Sequence, residues 1–418
     1  MVDAGIQRSV EAVWRIESAK IIAKLSRMLR DVGLAEELAQ DTLIAALEQW
    51  PRSGVPHNPG AWLMTTAKNR AIDQLRRFKL LQRKHPIIAH EAELLSEHAA
   101  ADESTDDDVG DDLLRLIFIA CHPVLSTDAR VALTLRLLGG LATAEIARAF
   151  LLPEPTIGQR IVRAKRALTE AHVPFEMPRA EQRAIRLASV LEVVYLIFNE
   201  GYAATAGVEW MRPSLCEEAL RLGRILAELT PDEPEVHGLV ALMEIQASRL
   251  AARVGPSGEP VLLLDQDRAR WDQLLIRRGL AALERAAGLR GALGPYALQA
   301  TVAACHARAR TAQETDWVRI VALYDALAQL APSPIVDLNR AVAISMAFGP
   351  LGALDIIDAL GNDSRLANYH LLPSVRGDLL EKLGRFEEAR TEFARAAALA
   401  QNGRERALLL RRAAACGT

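Results

Sequence analysis

The segment LATAEIARAFLLPEPTIGQRIVRAKRAL, residues 141–168, indicates two short helices joined by a tight turn. Ile146, Ala147, Ile157 and Ile161 recur at helical spacing and would pack one helix against the other. Pro155 lies near the first turn of the second helix, where its missing N–H removes no hydrogen bond. The polar and basic side chains on the outer face of that helix are Thr156, Gln159, Arg160, Arg163 and Arg166.

Side chains of these types can reach base edges and phosphates when they lie along a helix that enters the major groove. The segment therefore has the pattern of a helix-turn-helix. Taken alone, it is explained more often by a plain helical hairpin, and this alternative stays open.

A basic helix precedes this segment, at residues 58–79. One buried stripe is predicted by the apolar residues that recur at helical spacing, namely Trp62, Leu63, Ala67, Ala71 and Leu75. The other face carries the polar and basic residues Lys68, Asn69, Arg70, Arg76 and Arg77. Residues 68–84 hold seven basic residues and one acidic residue, a concentration that suits a phosphate backbone. A solvated charged face is the commoner explanation of such a helix on its own.

The whole chain has an ordinary globular composition. Its 418 residues are 50% hydrophobic and 25% charged, and the net charge is −3, so bulk charge does not indicate a nucleic-acid binder. The sequence contains no signal-peptide pattern and no apolar run of membrane-spanning length, which predicts a cytoplasmic protein. Four scattered cysteines without a C-x-x-C pair predict neither a disulfide nor a zinc site.

Four segments differ in character: residues 1–84, 85–112, 113–172 and 183–418. The second is a linker in which ten acidic residues and no Lys or Arg lie between Glu91 and Asp112. Such a block repels itself, so we expect it to be flexible around residues 99–110.

The last segment contains a repeat signal. In residues 369–401 the small and aromatic positions match the tetratricopeptide spacing, and they are Gly377, Leu380, Gly384, Ala389, Phe393 and Ala396. Looser copies lie around Ala219 and Tyr324, and irregular helical pairs are the alternative. Residues 255–271 interrupt the pattern and place four charges next to Trp271, namely Asp265, Asp267, Arg268 and Arg270. These charges are a candidate regulatory contact, although solvated charges that cap a helix would look the same.

Together, the motifs resemble regions 2 and 4 of the extracytoplasmic-function (ECF) sigma factors of bacterial RNA polymerase. The resemblance rests on AEELAQDTL at residues 35–43, on residues 62–77, and on PEPTIGQRIVRA at residues 153–164. The helical repeats, with FNEGY at residues 198–202 and DQDR at 265–268, resemble the subgroup that carries a tetratricopeptide-like extension. This resemblance implies an all-α protein with region 2 at residues 1–84 and region 4 at 113–172.

The resemblance also implies roles for individual residues. A helix over residues 36–49 would dock on the coiled coil of the polymerase β′ subunit through Glu36, Glu37, Gln40, Asp41 and Thr42. The helix at 60–77 would open the −10 element with Asn69 and Arg70 near the DNA, and the helix at 155–168 would read the −35 element. The acidic linker would lie in the RNA exit channel, and Trp50 and Trp62 would serve the core rather than stack on a base.

Two positions depart from the family pattern. Leu151 stands in the turn where the family usually has Gly, and a left-handed leucine costs about 1–2 kcal/mol. Gly158 stands where a basic residue is frequent, which predicts weaker −35 binding or a shifted register.

The predicted function is promoter selection for RNA polymerase, with core polymerase through its β′ and β subunits and promoter DNA as partners. The extension is expected to regulate the initiation of transcription, and a protein or a ligand that binds its repeats is an expected partner. No cofactor, metal site or covalent chemistry is predicted, since Cys121-His122 and Cys305-His306 place adjacent side chains in different directions. The alternative is a helical-repeat scaffold with a DNA-binding N-terminal half, and an enzyme is the least favoured class.

Overall fold

The computed structural model describes residues 2–82, 106–150, 152–204, 207, 209–256, 258–291 and 293–417. Within these ranges the regular structure is helical, which confirms the predicted all-α class. The chain divides into two compact units, unit 1 at residues 1–194 and unit 2 at residues 195–418. None of the described helices is both long enough and apolar enough to cross a membrane.

Unit 1 contains the helices of both predicted DNA-binding segments. They are α1 (Val2–Leu29), α2 (Val32–Ser53), α3 (Pro59–Gln82), α4 (Asp106–Ala120), α5 (Thr127–Leu137), α6 (Thr143–Phe150), α7 (Glu154–Glu170) and the first part of α8 (Ala180–Tyr202). The division between the units therefore falls inside α8.

Small side chains bring α1, α2 and α3 close together. Ala39 and Ala46 of α2 and Ala67 of α3 are fully buried. Trp50 is also buried, and its ring meets that of Trp62 edge to face with centroids 5.5 Å apart. The core role predicted for Trp50 is confirmed.

The C-terminal end of the predicted acidic linker is helical. Residues 85–105 of it lie outside the described residues, but residues 106–112 already belong to α4, so the expectation of flexibility as far as residue 110 is wrong. Acidic residues at a helix N-terminus are favoured by the helix dipole, and Leu113, Leu114 and Ile117 bury one face of α4. Asp112, only 1% exposed, pairs with Arg115 at 2.7 Å and with Arg27 of α1 at 3.4 Å.

The first part of α8 belongs structurally to the helix-turn-helix segment. The Ser189 hydroxyl donates to the Cys121 carbonyl at 2.7 Å, and Arg186 donates to the Phe118 carbonyl at 2.6 Å. Because these bonds tie α8 to the end of α4, the first residues of the predicted extension are part of unit 1.

Unit 2 is built from successive helical hairpins. Its helices are α9 (Pro213–Leu229), α10 (Pro234–Ala247), α11 (Gln273–Gly288), α12 (Pro295–Arg308), α13 (Trp317–Leu330), α14 (Pro334–Phe348), α15 (Pro350–Leu360), α16 (Leu371–Lys382), α17 (Phe386–Leu399) and α18 (Gly403–Ala415). Three short 3-10 turns, at Leu250–Ala252, Leu263–Asp265 and Arg268–Arg270, lie between α10 and α11.

The helical pair predicted at residues 369–401 is confirmed as α16 and α17. Phe393 is fully buried, and a Cβ added at Gly377 would lie 2.9 Å from its ring. The glycine thus gives the ring of α17 the space it needs against α16. Membership of unit 2 in the tetratricopeptide class stays a prediction.

Candidate nucleic-acid interface

Helix α7 separates an apolar face from a polar face, as its sequence predicts. Ile157, Ile161, Ala164 and Leu168 are buried against the rest of unit 1. The exposed side chains at helical spacing are Thr156, Gln159, Arg163 and Arg166, and Arg160 is half-buried beside them. The turn before α7 includes Leu151, which lies outside the described residues. Gly158 is half-buried, with Thr143 3.9 Å from where its Cβ would stand.

The arginines on the outer face of α7 are held weakly. Arg160 pairs with Asp128 at 3.1 Å and Arg166 with Glu170 at 2.6 Å, and both carboxylates are largely exposed. No carboxylate of the described residues lies within ion-pair distance of Arg163. Since exposed ion pairs contribute only about 0–1 kcal/mol, a phosphate can replace these partners at small cost.

Helix α3 presents the predicted basic face. Asn69, Arg76 and Arg77 are exposed, and Lys68 is half-buried. Arg70 is half-buried and lies 3.7 Å from the carboxylate of Asp41. This pair joins a predicted DNA-contacting residue of α3 to a predicted polymerase-contacting residue of α2, so the two surfaces adjoin.

Helix α2 carries only part of the predicted docking face on its surface. Glu37 is exposed, and Gln40 and Asp41 are half-buried. Thr42 is fully buried, and its hydroxyl donates to the Leu38 carbonyl at 2.9 Å. Glu36 is 3% exposed. The expectation that Glu36 and Thr42 lie on an open face is therefore corrected, because other parts of unit 1 cover both side chains.

Two cations cover Glu36 on this side of α2, namely Arg136 and Lys165. We call the three residues the Glu36 cluster. The Arg136 Nε of α5 donates to the Glu36 carboxylate at 2.6 Å, and Lys165 of α7 forms an ion pair with the same carboxylate. Arg136 also donates to the Leu141 carbonyl at 3.1 Å. The cluster thus connects α2 with α5 and α7, two helices of the predicted region 4 at residues 113–172.

Two further contacts join the same parts of unit 1. Arg15 of α1 pairs with Glu145 of α6 at 3.2 Å. Gly140 adopts a φ of +64°, and a Cβ there would lie 2.8 Å from the Ser18 hydroxyl oxygen. Sequence reasoning missed all of these contacts, because Glu36 and Arg136 are 100 residues apart and single charged residues give no periodic pattern.

Comparison with known proteins assigns both parts of unit 1. The family described as "Sigma-70 region 2" matches residues 16–79, and "Sigma-70, region 4" matches residues 115–168. The "ECF RNA polymerase sigma factor SigC" of Mycobacterium tuberculosis is 30% identical over 40% of this chain and 80% of its own length. The "ECF RNA polymerase sigma factor SigK" of Mycobacterium ulcerans is 30% identical over 36% of this chain and 78% of its own length. The chain belongs to the ECF sigma factors.

This membership confirms the resemblance seen in the sequence and the function it implies, promoter-specific initiation of transcription. Sigma factors act by binding core RNA polymerase and promoter DNA. Residues 186–287 match a "Family of unknown function (DUF6596)". The "Uncharacterized protein R00370" of Rhizobium meliloti (strain 1021) is 46% identical over 92% of this ECF sigma factor and 90% of its own length, so the similarity extends through unit 2.

The candidate regulatory charges of unit 2 do not form one surface. Asp265, Asp267 and Arg270 are exposed, and the Asp267 carboxylate accepts from the Ala269 N–H at 3.0 Å, which is a capping role. Arg268 is half-buried and donates to the His306 and Ala309 carbonyls at 2.6 and 2.7 Å. A regulatory contact of these four charges stays a prediction.

Cysteine and histidine chemistry is suppressed by burial. All four cysteines are buried free thiols, and burial raises the pKa of Cys121 to about 11. Burial, assisted by Arg249 and Arg268, lowers the pKa of His306 to about 3. No group of three or more potential metal ligands occurs among the described residues.

Proposed function

We propose that three helices of unit 1 divide promoter recognition among them. Helix α2 docks on the β′ coiled coil through Glu37, Gln40 and Asp41, α3 engages the −10 element, and α7 reads the −35 element. The exposure of Gln159 and Arg163 on one face of α7 is the observation that carries this proposal. Gln and Arg are the side chains that form paired hydrogen bonds with adenine and guanine edges in the major groove.

Promoter binding requires unit 1 to open. The two elements are about 25 base pairs apart by their names, which is roughly 85 Å at about 3.4 Å per base pair. A compact unit of 194 residues has a radius of gyration of only about 16 Å. Helices α3 and α7 therefore cannot reach both elements while the Glu36 cluster holds α2 to α7.

Unit 2 regulates this step in our proposal, through a ligand or protein partner. A chain that ends at Val194 tests the idea, because it removes unit 2 but keeps the bonds of Arg186 and Ser189. Promoter-specific output that differs from that of the full chain supports regulation by unit 2, provided the thermal unfolding of unit 1 is unchanged. Equal output refutes it.

Transcription from a promoter library with core RNA polymerase tests the recognition roles. The variants Gln159→Ala and Arg163→Ala should lower transcription from the preferred promoters by roughly 5- to 150-fold, the equivalent of about 1–3 kcal/mol for one base contact. Arg285→Ala, an exposed arginine of unit 2, is the matched control. If both α7 variants keep the wild-type yield and promoter preference, α7 does not read the −35 element.

A further inference from the structure

Unit 2 buries two arginines for which the described residues provide no acidic partner. Arg249 and Arg253 flank the 3-10 turn after α10 and are 8% and 9% exposed. Among the described residues, no carboxylate forms an ion pair with either guanidinium and no acceptor bonds to it, and both Nε atoms are buried without a partner. Arginine stays charged at any pH a protein meets, and an unpaired buried charge costs several kcal/mol.

Nearby acids are already engaged elsewhere. Glu200 pairs with Arg212, and Glu244 pairs with Arg224 at 2.7 Å. Burial lowers the pKa of Arg249, and the neighbouring charge of Arg253 lowers it further. His306, also beside Arg249, is neutral at physiological pH because burial lowers its pKa to about 3. The positive charge at this place is therefore uncompensated within the described part of the chain.

Aromatic rings surround the guanidiniums instead. The Arg253 Cζ lies 3.6 Å from the Tyr202 ring centroid and 4.8 Å from that of Trp210, and the Arg249 Cζ lies 5.9 Å from that of Trp271. Such contacts contribute about 0.5–2 kcal/mol each, less than the desolvation of a guanidinium. The indole N–H groups of Trp210 and Trp271 are also buried without an acceptor from the described residues. Within the described part of unit 2, four donors of one site thus lack an acceptor: the two Nε–H groups and the two indole N–H groups.

We propose that unit 2 binds a small oxyanion at this arginine cluster, which comprises Arg249 and Arg253 with the rings of Tyr202, Trp210 and Trp271. A carboxylate or phosphate group supplies both the negative charge and the acceptor atoms that the site lacks, and guanidinium forks bind either group through paired hydrogen bonds. Because both arginines are more than nine-tenths buried, the ligand is a small molecule rather than a nucleic acid or a protein surface. The site is independent of the promoter-contacting roles proposed for unit 1.

Titration of the full chain with three probes tests the site: inorganic phosphate, pyrophosphate and citrate. Thermal unfolding and tryptophan fluorescence are recorded at constant ionic strength, set with sodium chloride. We expect at least one probe to give a saturable rise in the unfolding midpoint with a fluorescence change from Trp210 or Trp271. A response to the phosphates alone identifies a phosphate ligand, and a response to citrate alone identifies a carboxylate.

Arg253→Met is the decisive variant, and Arg278→Met, at an exposed position of α11, is the matched control. Arg253→Met should raise the half-saturating concentration at least tenfold, whereas Arg278→Met should leave it unchanged. Without a probe, Arg253→Met should unfold at the wild-type temperature or above it, since it removes an uncompensated charge. Arg249→Lys keeps the positive charge but loses the paired N–H donors of the guanidinium group. This second variant should also weaken binding of the probe.

Three outcomes overturn the proposal. The first is no saturable response of the wild-type chain to any probe. The second is a response of equal size in Arg253→Met, which marks general salt stabilisation. The third is a large loss of stability in probe-free Arg253→Met, which marks an arginine that the fold itself requires.

Discussion

Replacement of Arg136 by methionine tests whether the Glu36 cluster holds unit 1 closed. Arg136 lies outside the residues proposed to contact DNA or polymerase, so its loss removes no predicted binding contact. Its Nε is 2.6 Å from the Glu36 carboxylate in a setting where both side chains are mostly buried. Methionine keeps the apolar stem and removes the charge together with the hydrogen bond to the Leu141 carbonyl.

The magnitude follows from this geometry. At an effective dielectric constant of about 20, two charges 2.6 Å apart attract by about 6 kcal/mol, and several kcal/mol of desolvation oppose this attraction. Hydrogen bonds to charged groups contribute about 1.5–3 kcal/mol net. Lys165 still pairs with Glu36 in the variant, and the Gln40 side-chain amide still donates to it, so the carboxylate keeps two partners. We therefore expect Arg136→Met to destabilise the closed unit by about 2–3 kcal/mol, a factor of roughly 30 to 150 in the closed-to-open ratio.

Two measurements check the expectation. Urea unfolding of Arg136→Met should give a free energy of unfolding lowered by about 2–3 kcal/mol, and titration with core polymerase should give a tighter apparent Kd. Arg385→Met, which removes an exposed 2.7 Å pair with Glu388 in unit 2, should change the unfolding free energy by less than about 0.5 kcal/mol. Wild-type stability together with wild-type polymerase affinity in Arg136→Met would refute the reasoning.

Three further predictions concern separate parts of the chain. In urea titrations, Gly377→Ala should lower the free energy of unfolding by about 1–3 kcal/mol, because its Cβ would lie 2.9 Å from the Phe393 ring. Gly352→Ala, whose Cβ would meet no atom within 4 Å, should raise the free energy of unfolding by up to about 1 kcal/mol. Arg166→Ala should reduce by about one the slope of log promoter affinity against log salt, and an unchanged slope would remove Arg166 from the phosphate contacts. His306 stays neutral in the folded state down to about pH 3, whereas in the unfolded chain it binds a proton below about pH 6.5. The wild-type free energy of unfolding should therefore fall as pH drops below 6.5, by up to about 1.36 kcal/mol per pH unit. In urea unfolding at several pH values, His306→Asn should make the free energy of unfolding less dependent on pH in this range.

Local patterns predicted the elements that carry the family's functions. The apolar spacing of Ile157 and Ile161 placed α7, and the spacing of Gly377 and Phe393 placed the α16–α17 pair. Each of these features lies within one helix or one hairpin, where the 3.6-residue period determines which side chains are buried. The outer faces of α3 and α7 followed from the same period.

Long-range packing determined what the sequence could not predict. Basic residues near a helix end are normally solvated, and nothing in the local pattern of residues 248–253 predicts the burial of two arginines. Arg249 and Arg253 are buried because Tyr202, Trp210 and Trp271 reach them from distant parts of the chain. The acidic run before Asp112 predicted flexibility from its charge alone, although the apolar residues that follow extend α4 back into it.

The burial of Glu36 links polymerase docking to the opening of unit 1. Glu36 is held by Arg136 and Lys165 in the closed unit, on the same helix as the proposed docking residues Glu37, Gln40 and Asp41. In our proposal, core polymerase therefore competes with α5 and α7 for α2. The apparent Kd is then the intrinsic Kd divided by the fraction of open chains, so we propose that a ligand of unit 2 would regulate initiation by favouring one of these two states.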